Sequence, residues 1–201
     1  MNNFLLISLG VCLALAINVH GDRETDLDFI QAALDEKPDL VKFLLKEGAN
    51  INATDEDGKT ALMKASNNGR YETVKFLIEN GADVNATDTN GKTPIMFASA
   101  FDNSKIIKLL VDNGANINAT DNSGWSALIY AAYDGRGRAV RALLRKGADA
   151  DYALKYATKR VHSIIDFYNE RSTSGFGGYQ KAVDIINENN TFLRRVQSYI
   201  E

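Results

Sequence analysis

The sequence predicts an all-α solenoid of paired antiparallel helices joined by finger turns, followed by a C-terminal helix. Three observations carry this expectation. Laid on itself with a shift of 33, the chain repeats: Asp55, Asp88 and Asp121 align, then Gly58, Gly91 and Gly124, then Thr60, Thr93 and Ser126. Each unit also places turn chemistry before a hydroxyl residue suited to cap a helix, and closes on Gly81, Gly114 or Gly147. Between these markers lie two apolar faces, Leu62-Ala65-Ser66 and Val74-Leu77-Ile78 in the second unit. A unit of this size cannot bury its own apolar face, so it must stack on copies of itself.

In chain order, residues 1–21 hold no Lys, Arg, Asp or Glu, and Phe4 to Ala16 is almost wholly apolar. That run is short for a bilayer span, which takes ~20 apolar residues. It fits the core of a secretory signal peptide, with cleavage after Ala16 or after Gly21. Cys12, the only cysteine, lies inside it, so the mature chain would contain neither disulfide nor thiolate metal site.

The first repeat, 26–54, lacks the Gly-x-Thr-Pro opening but keeps Phe29, Ala32, Leu44, Leu45 and Gly48. Asp26 is expected to cap its first helix, Pro38 to stand near the start of its second, and Asp22, Glu24, Asp26 and Asp28 to give it a polar outer end. Repeats follow at 55–87, 88–120 and 121–151. In each, Asp-x-x-Gly forms the turn, and Thr60, Thr93 or Ser126 accepts from the first free N–H groups of the next helix. Pro94 fits the first helical position, and Asn85 and Asn118 lead into the following turns. Residues 152–171 read as a degenerate fifth repeat, 172–179 as a flexible linker by composition, and 180–201 as the C-terminal helix.

The 33-residue period with Asp-x-x-Gly-x-Thr-Pro near its start resembles the ankyrin repeat family over roughly residues 26 to 151. The resemblance implies an ankyrin-repeat solenoid that acts as a binding scaffold. It also implies that the first-helix face and the finger positions line a concave groove. Two departures stand out. The family's Thr-Pro-Leu-His tetrad reads Thr60-Ala61-Leu62-Met63, Thr93-Pro94-Ile95-Met96 and Ser126-Ala127-Leu128-Ile129, so the histidine network between repeats is absent and apolar packing is expected to replace it. Repeat three carries Asp102 where Gly69 and Gly135 stand. The Met-bearing repeats are similar to those common in bacteria.

Composition gives no enzyme. His162 lies among apolar residues and reads as structural, and the finger aspartates are explained by turn formation, so no acid–base couple emerges. Histidine is too sparse for a metal site, and Gly175 to Gly178 lacks the lysine and helix of a phosphate loop. No cofactor is expected. The Asn-x-Thr triplets at Asn52, Asn85 and Asn118 recur with the repeat and carry no further signal. Charge is lopsided: residues 22–134 hold 11 Lys or Arg against 19 Asp or Glu, a balance of −8, whereas 135–201 hold 12 against 7, a balance of +5. Nucleic acid is not an expected partner. The run Arg136, Arg138, Arg141, Arg145 and Lys146 reads as a solvated convex face.

The candidate binding surface is sharper. The helix face opposite the core falls two, five and six residues after the Leu62-type position. Those positions are Lys64, Asn67 and Asn68 in repeat two, Phe97, Ala100 and Phe101 in repeat three, and Tyr130, Tyr133 and Asp134 in repeat four. The finger residue is Lys59, then Lys92, then Trp125. Phe97, Phe101, Trp125, Tyr130 and Tyr133, with Lys92, are therefore expected to form one partner-binding patch, aromatic residues being frequent interface anchors. The expected molecule is an exported, periplasmic or secreted scaffold, monomeric when free and without a membrane span once its leader is removed. It binds another protein and inhibits, or protects against, an envelope enzyme. Two alternatives stay open: an accessory module that stabilises such an enzyme, and a C-terminal helix that folds back over the groove.

Overall fold

The structure, a computed structural model, describes residues 23–35 and 37–156, with Thr191, Arg194 and Ser198 as single helical positions beyond. The expected leader with Cys12, the linker, most of the degenerate repeat with His162, and the bulk of the C-terminal helix lie outside the described residues. Within them the helices come in pairs: α1 (Arg23–Leu34) with α2 (Pro38–Lys46), α3 (Ala61–Asn67) with α4 (Tyr71–Glu79), α5 (Pro94–Ala100) with α6 (Ser104–Asp112), and α7 (Ala127–Tyr133) with α8 (Gly137–Arg145). Residues 150–156 are helical again. No helix among the described residues is long and apolar enough to cross a membrane.

Odd-numbered helices stack on one another as an inner layer, and even-numbered helices pack behind them. The inner helices approach each other more closely than the outer ones do, which curves the array towards the inner layer and its finger turns. Alanines at the inner-layer contacts permit the closer approach, although Leu62, Ile95 and Leu128 are buried in that layer too. Ala61, Ala65, Ala98, Ala127 and Ala131 are fully buried in the inner layer, whereas the outer helices carry Val74, Leu77, Ile107, Leu110, Val140 and Leu143 inward. Ile78, also expected inward, is half-buried, as is its counterpart Val111.

Helices α3, α5 and α7 have seven residues each, too few to persist alone in water. Their ends are therefore tightly managed. Thr60 Oγ1 accepts from the Met63 N–H at 3.3 Å, and Ser126 Oγ accepts from the Ile129 N–H at 3.4 Å, as expected. Thr93 departs from the pattern: its hydroxyl has no partner among the described residues, and the Met96 sulfur instead accepts from the Thr93 N–H at 3.5 Å. Pro94 at the first helical position supplies the pre-set φ at that start.

At the other end of α3, Asn103 Nδ2 donates to the Ser66 carbonyl at 2.9 Å, and at the end of α5 Arg136 Nε donates to the Ala100 carbonyl at 2.8 Å. One repeat position thus caps the preceding inner helix, and the Arg136 charge suits a helix C-terminus. Part of the basic run is in this way tied to repeat three. Arg138 Nε bonds Asp102 Oδ2 at 2.8 Å, and Lys146 pairs with Asp112.

Between units, a second set of bonds corrects the expectation that apolar packing alone replaces the missing histidines. Met63, Met96 and Ile129 are buried at those positions, but asparagines bridge the repeats as well. Asn52 Oδ1 accepts from the Asp83 N–H at 2.8 Å, Asn85 Oδ1 from Asn116 at 2.7 Å, and Asn118 Oδ1 from Asp149 at 2.9 Å. Asn85 Nδ2 also donates to the Gly114 carbonyl at 3.0 Å. Asp26 holds the same place in repeat one: it does not cap α1, which starts at Arg23, but accepts from the Asn50 N–H at 2.7 Å. At the repeat-one end Asp28 is exposed, and Leu27, Leu40 and Phe43 are exposed as well.

The fingers are strapped in turn, the Thr89 N–H donating to the Asp57 carbonyl and the Asn122 N–H to the Asn90 carbonyl, each at 3.0 Å. Gly58 is required at the first strap, where φ is +77° and a Cβ would lie 2.9 Å from Thr89 N.

Asp102 is the one non-glycine residue with positive φ, +61°, among the described residues. Aspartate tolerates that region better than most side chains. Its carboxylate explains its presence. Oδ1 accepts from the Ala139 N–H at 2.7 Å, capping α8 from the preceding repeat, while Oδ2 meets Arg138. Burial pushes the Asp102 carboxyl up, but the Arg138 guanidinium and the backbone N–H groups outweigh it, so its pKa lies below the ordinary value.

Asn85→Ala is expected to lower stability by about 0.5–1.5 kcal/mol, because it removes exposed bonds to the backbone of the next unit; a urea midpoint unchanged from wild type contradicts this role. Asp102→Asn should cost about 1 kcal/mol at neutral pH. A carboxyl with a depressed folded pKa contributes stability above its unfolded value and loses it as pH falls through the folded one. The gap between wild type and Asp102→Asn should therefore close on acidification below the ordinary carboxylate value of 3.8. Parallel urea titrations from neutral to acid pH measure it.

Candidate partner-binding face

The inner-layer face lies where the helical period places it. Lys64, Asn67, Phe97, Ala100 and Tyr130 are half-buried, and Asn68, Phe101, Tyr133 and Asp134 are exposed, while the intervening residues are buried. The six candidate residues do not, however, form one cluster. Three of them do.

Trp125, at the finger of repeat four, sits 5.0 Å from the Tyr130 ring and 5.1 Å from the Tyr133 ring, centroid to centroid, at interplanar angles of 55° and 61°. Tilted and edge-on rings at these distances are favourable by about 0.5–1.5 kcal/mol per pair. Residues 130 and 133 share a helix face through their three-residue spacing, and the finger turn brings Trp125 across it. Lys92, from the finger of repeat three, holds its ammonium 4.9 Å from the Tyr130 ring centroid, a cation–π contact that joins the two repeats.

Phe97 and Phe101 make no ring contact with these three. Phe101 directly follows α5 and is 54% exposed, close to the 51% of Tyr133. Each of these rings is about half accessible, one on repeat three and one on repeat four. Phe97 turns instead towards repeats one and two, where it lines a cavity of about 220 Å³ with Leu34, Lys59, Met63, Lys64, Asn67 and Asn68.

What orders the cluster is a carboxylate that the sequence offered only as turn chemistry. Asp121 Oδ1 accepts from the Ser123 and Trp125 N–H groups at 2.8 and 2.9 Å, shaping the finger, and Oδ2 accepts from the Tyr130 hydroxyl at 2.6 Å. Burial first, and then this bond to Asp121, push the Tyr130 phenol well above the ordinary tyrosine range. The phenol therefore stays protonated, as a donor must.

Tyr152 and Tyr156 also escaped the sequence reading as functional groups. Their hydroxyls donate to the Gly124 and Ser123 carbonyls, both at 2.9 Å, and cover the finger turn that carries Trp125. Their four-residue spacing on a helix was the available signal.

Stacked helix pairs with a concave, ring-bearing inner face define a repeat scaffold of the protein-binding class. A family model for ankyrin repeats, in 3 copies, matches residues 29–121 and 82–155. The chain belongs to the ankyrin repeat family and is a protein–protein interaction module. A comparison with curated proteins found no match.

Tyr130→Phe removes the donor from Asp121 and should lower stability by about 1–3 kcal/mol, read as a lower thermal midpoint. In an alkaline titration followed by phenolate absorbance, the same variant should lose the last tyrosine to ionise. Loss of an ordinary tyrosine step instead would show that Tyr130 is not held by Asp121.

Proposed function

We propose that this protein is an exported scaffold that grips a partner protein through the concave face of repeats three and four and so occludes an envelope enzyme. The observation that carries the binding face is the Trp125–Tyr130–Tyr133 cluster, with Tyr133 and Phe101 half-exposed on adjacent repeats. A soluble protein gains nothing in stability by leaving large rings in water, and rings held rigid by neighbours suit interface anchors. Export is supported by the charge-free leader with its apolar run from Phe4 to Ala16.

Phe101→Ala combined with Tyr133→Ala should leave the fold intact, since both side chains are already half in water, yet weaken partner capture from envelope extract by tenfold or more. Equal capture by wild type and the double variant defeats the groove assignment. Added to the captured enzyme, the purified protein should inhibit it; unchanged or raised activity would make it an accessory module instead. Fractionation of cells expressing the full chain tests export.

A further inference from the structure

Each finger of repeats two to four is built on an aspartate whose Oδ1 accepts backbone N–H groups, leaving Oδ2 to be satisfied from the inner helix. In repeat two the Lys64 ammonium does this, 2.6 Å from Asp55 Oδ2. In repeat four the Tyr130 hydroxyl does it, also at 2.6 Å, on Asp121. The equivalent residue in repeat three is Phe97, which has no donor. Asp88 is only 6% exposed, and its Oδ2 is buried without a hydrogen-bond partner among the described residues. A charged oxygen in that condition is costly, and the cost is recovered by whatever brings a donor to it.

Among the described residues the nearby cations make their hydrogen bonds and ring contacts elsewhere, although Asp88 adds to the negative charge that Lys59 feels. Lys92 lies over the Tyr130 ring, Lys59 pairs with Asp57 at 2.9 Å, and Lys64 holds Asp55. The surroundings still favour positive charge. Asp88, Asp121 and Asp134 all act on the Tyr130 hydroxyl, so three carboxylates converge on this part of the groove. The Tyr130 ring, which already carries the Lys92 ammonium, is the kind of surface on which a guanidinium or ammonium stem packs.

We infer that Asp88 is the receptor for a basic side chain, arginine or lysine, that the protein partner brings to the finger of repeat three. The two neighbouring repeats show the same carboxylate oxygen already taken by an ammonium and by a hydroxyl, and the partner supplies what repeat three lacks. The inference rests on the concave-face reading and names the partner's chemistry there.

The test uses the full chain, isotopically labelled, titrated with N-acetyl-arginine methylamide and with its neutral isostere N-acetyl-citrulline methylamide. Amide signals of residues 88–93 should move saturably with the arginine compound. The citrulline compound should bind at least about tenfold more weakly, the ratio expected of one hydrogen bond to a charged group. Asp88→Asn should remove the difference. Phe97→Lys, which copies the arrangement of repeat two, should abolish arginine binding and raise the thermal midpoint. Equal binding of the two compounds, no response to the arginine compound, or discrimination that survives both variants overturns the assignment. Phe97→Lys leaves the finger bonds of Asp88 in place, so the test stands even if Asp88→Asn unfolds. If Phe101→Ala with Tyr133→Ala abolishes partner capture while arginine and citrulline bind alike, the groove stands and the Asp88 receptor falls. If Asp88 discriminates but that double variant captures normally, the reverse holds.

Discussion

Seven-residue helices cannot stand alone, and everything else in this molecule follows from that constraint. A helix of two turns forms too few internal hydrogen bonds to offset the ordering of its backbone. Helices α3, α5 and α7 persist because each lies between neighbours. The alanines that line their contacts, Ala65, Ala98 and Ala131, are completely buried and let the backbones come close. Larger residues on the outer helices hold that layer further apart. The resulting curvature turns the unburied side of the inner helices into a concave face, so packing and binding surface have one cause.

The polar bonds that join the repeats are local and redundant. Asn52, Asn85 and Asn118 each reach the backbone of the next unit, Asn103 and Arg136 reach back to the preceding inner helix, and the fingers are strapped edge to edge. Each bond links only neighbouring units, as a quasi-one-dimensional array demands. Loss of the family histidine is thereby tolerated: Met63, Met96 and Ile129 fill its space, and asparagines carry the polar bridging. Asp102 belongs to the same economy. A glycine there would relieve the positive φ but could neither cap α8 nor meet Arg138.

Function enters through what the repeats do not share. One helix position is Lys64, Phe97 and Tyr130 in successive units, and its finger carboxylate is accordingly ion-paired, unpartnered or hydrogen-bonded. The finger residue is Lys59, Lys92 and then Trp125, and the last of these gathers Tyr130 and Tyr133 around it. A regular backbone holds each variant side chain in nearly the same place, so a single substitution changes local chemistry without changing shape.

By itself the sequence determined the repeat period, the helix pairs, the inward faces and the positions left facing the groove. These follow from short-range rules of turn, cap and helical spacing, which act within one unit and are repeated. It also pointed to Trp125, Tyr130 and Tyr133 as neighbours, since they share one repeat. Tertiary structure alone decided relations that cross unit boundaries: Asn85 bridging to Asn116, Asp102 capping α8, Asp26 bonding Asn50 rather than capping α1, and Phe97 turning away from the tryptophan cluster towards repeats one and two. The sequence marks which side of a helix is free. The stacking offset between repeats, a property of packed volumes, decides which residue of the next unit stands opposite. Asp88 is a separate case: its missing donor follows from Phe97 within its own repeat, but only the folded finger shows that its Oδ2 is buried.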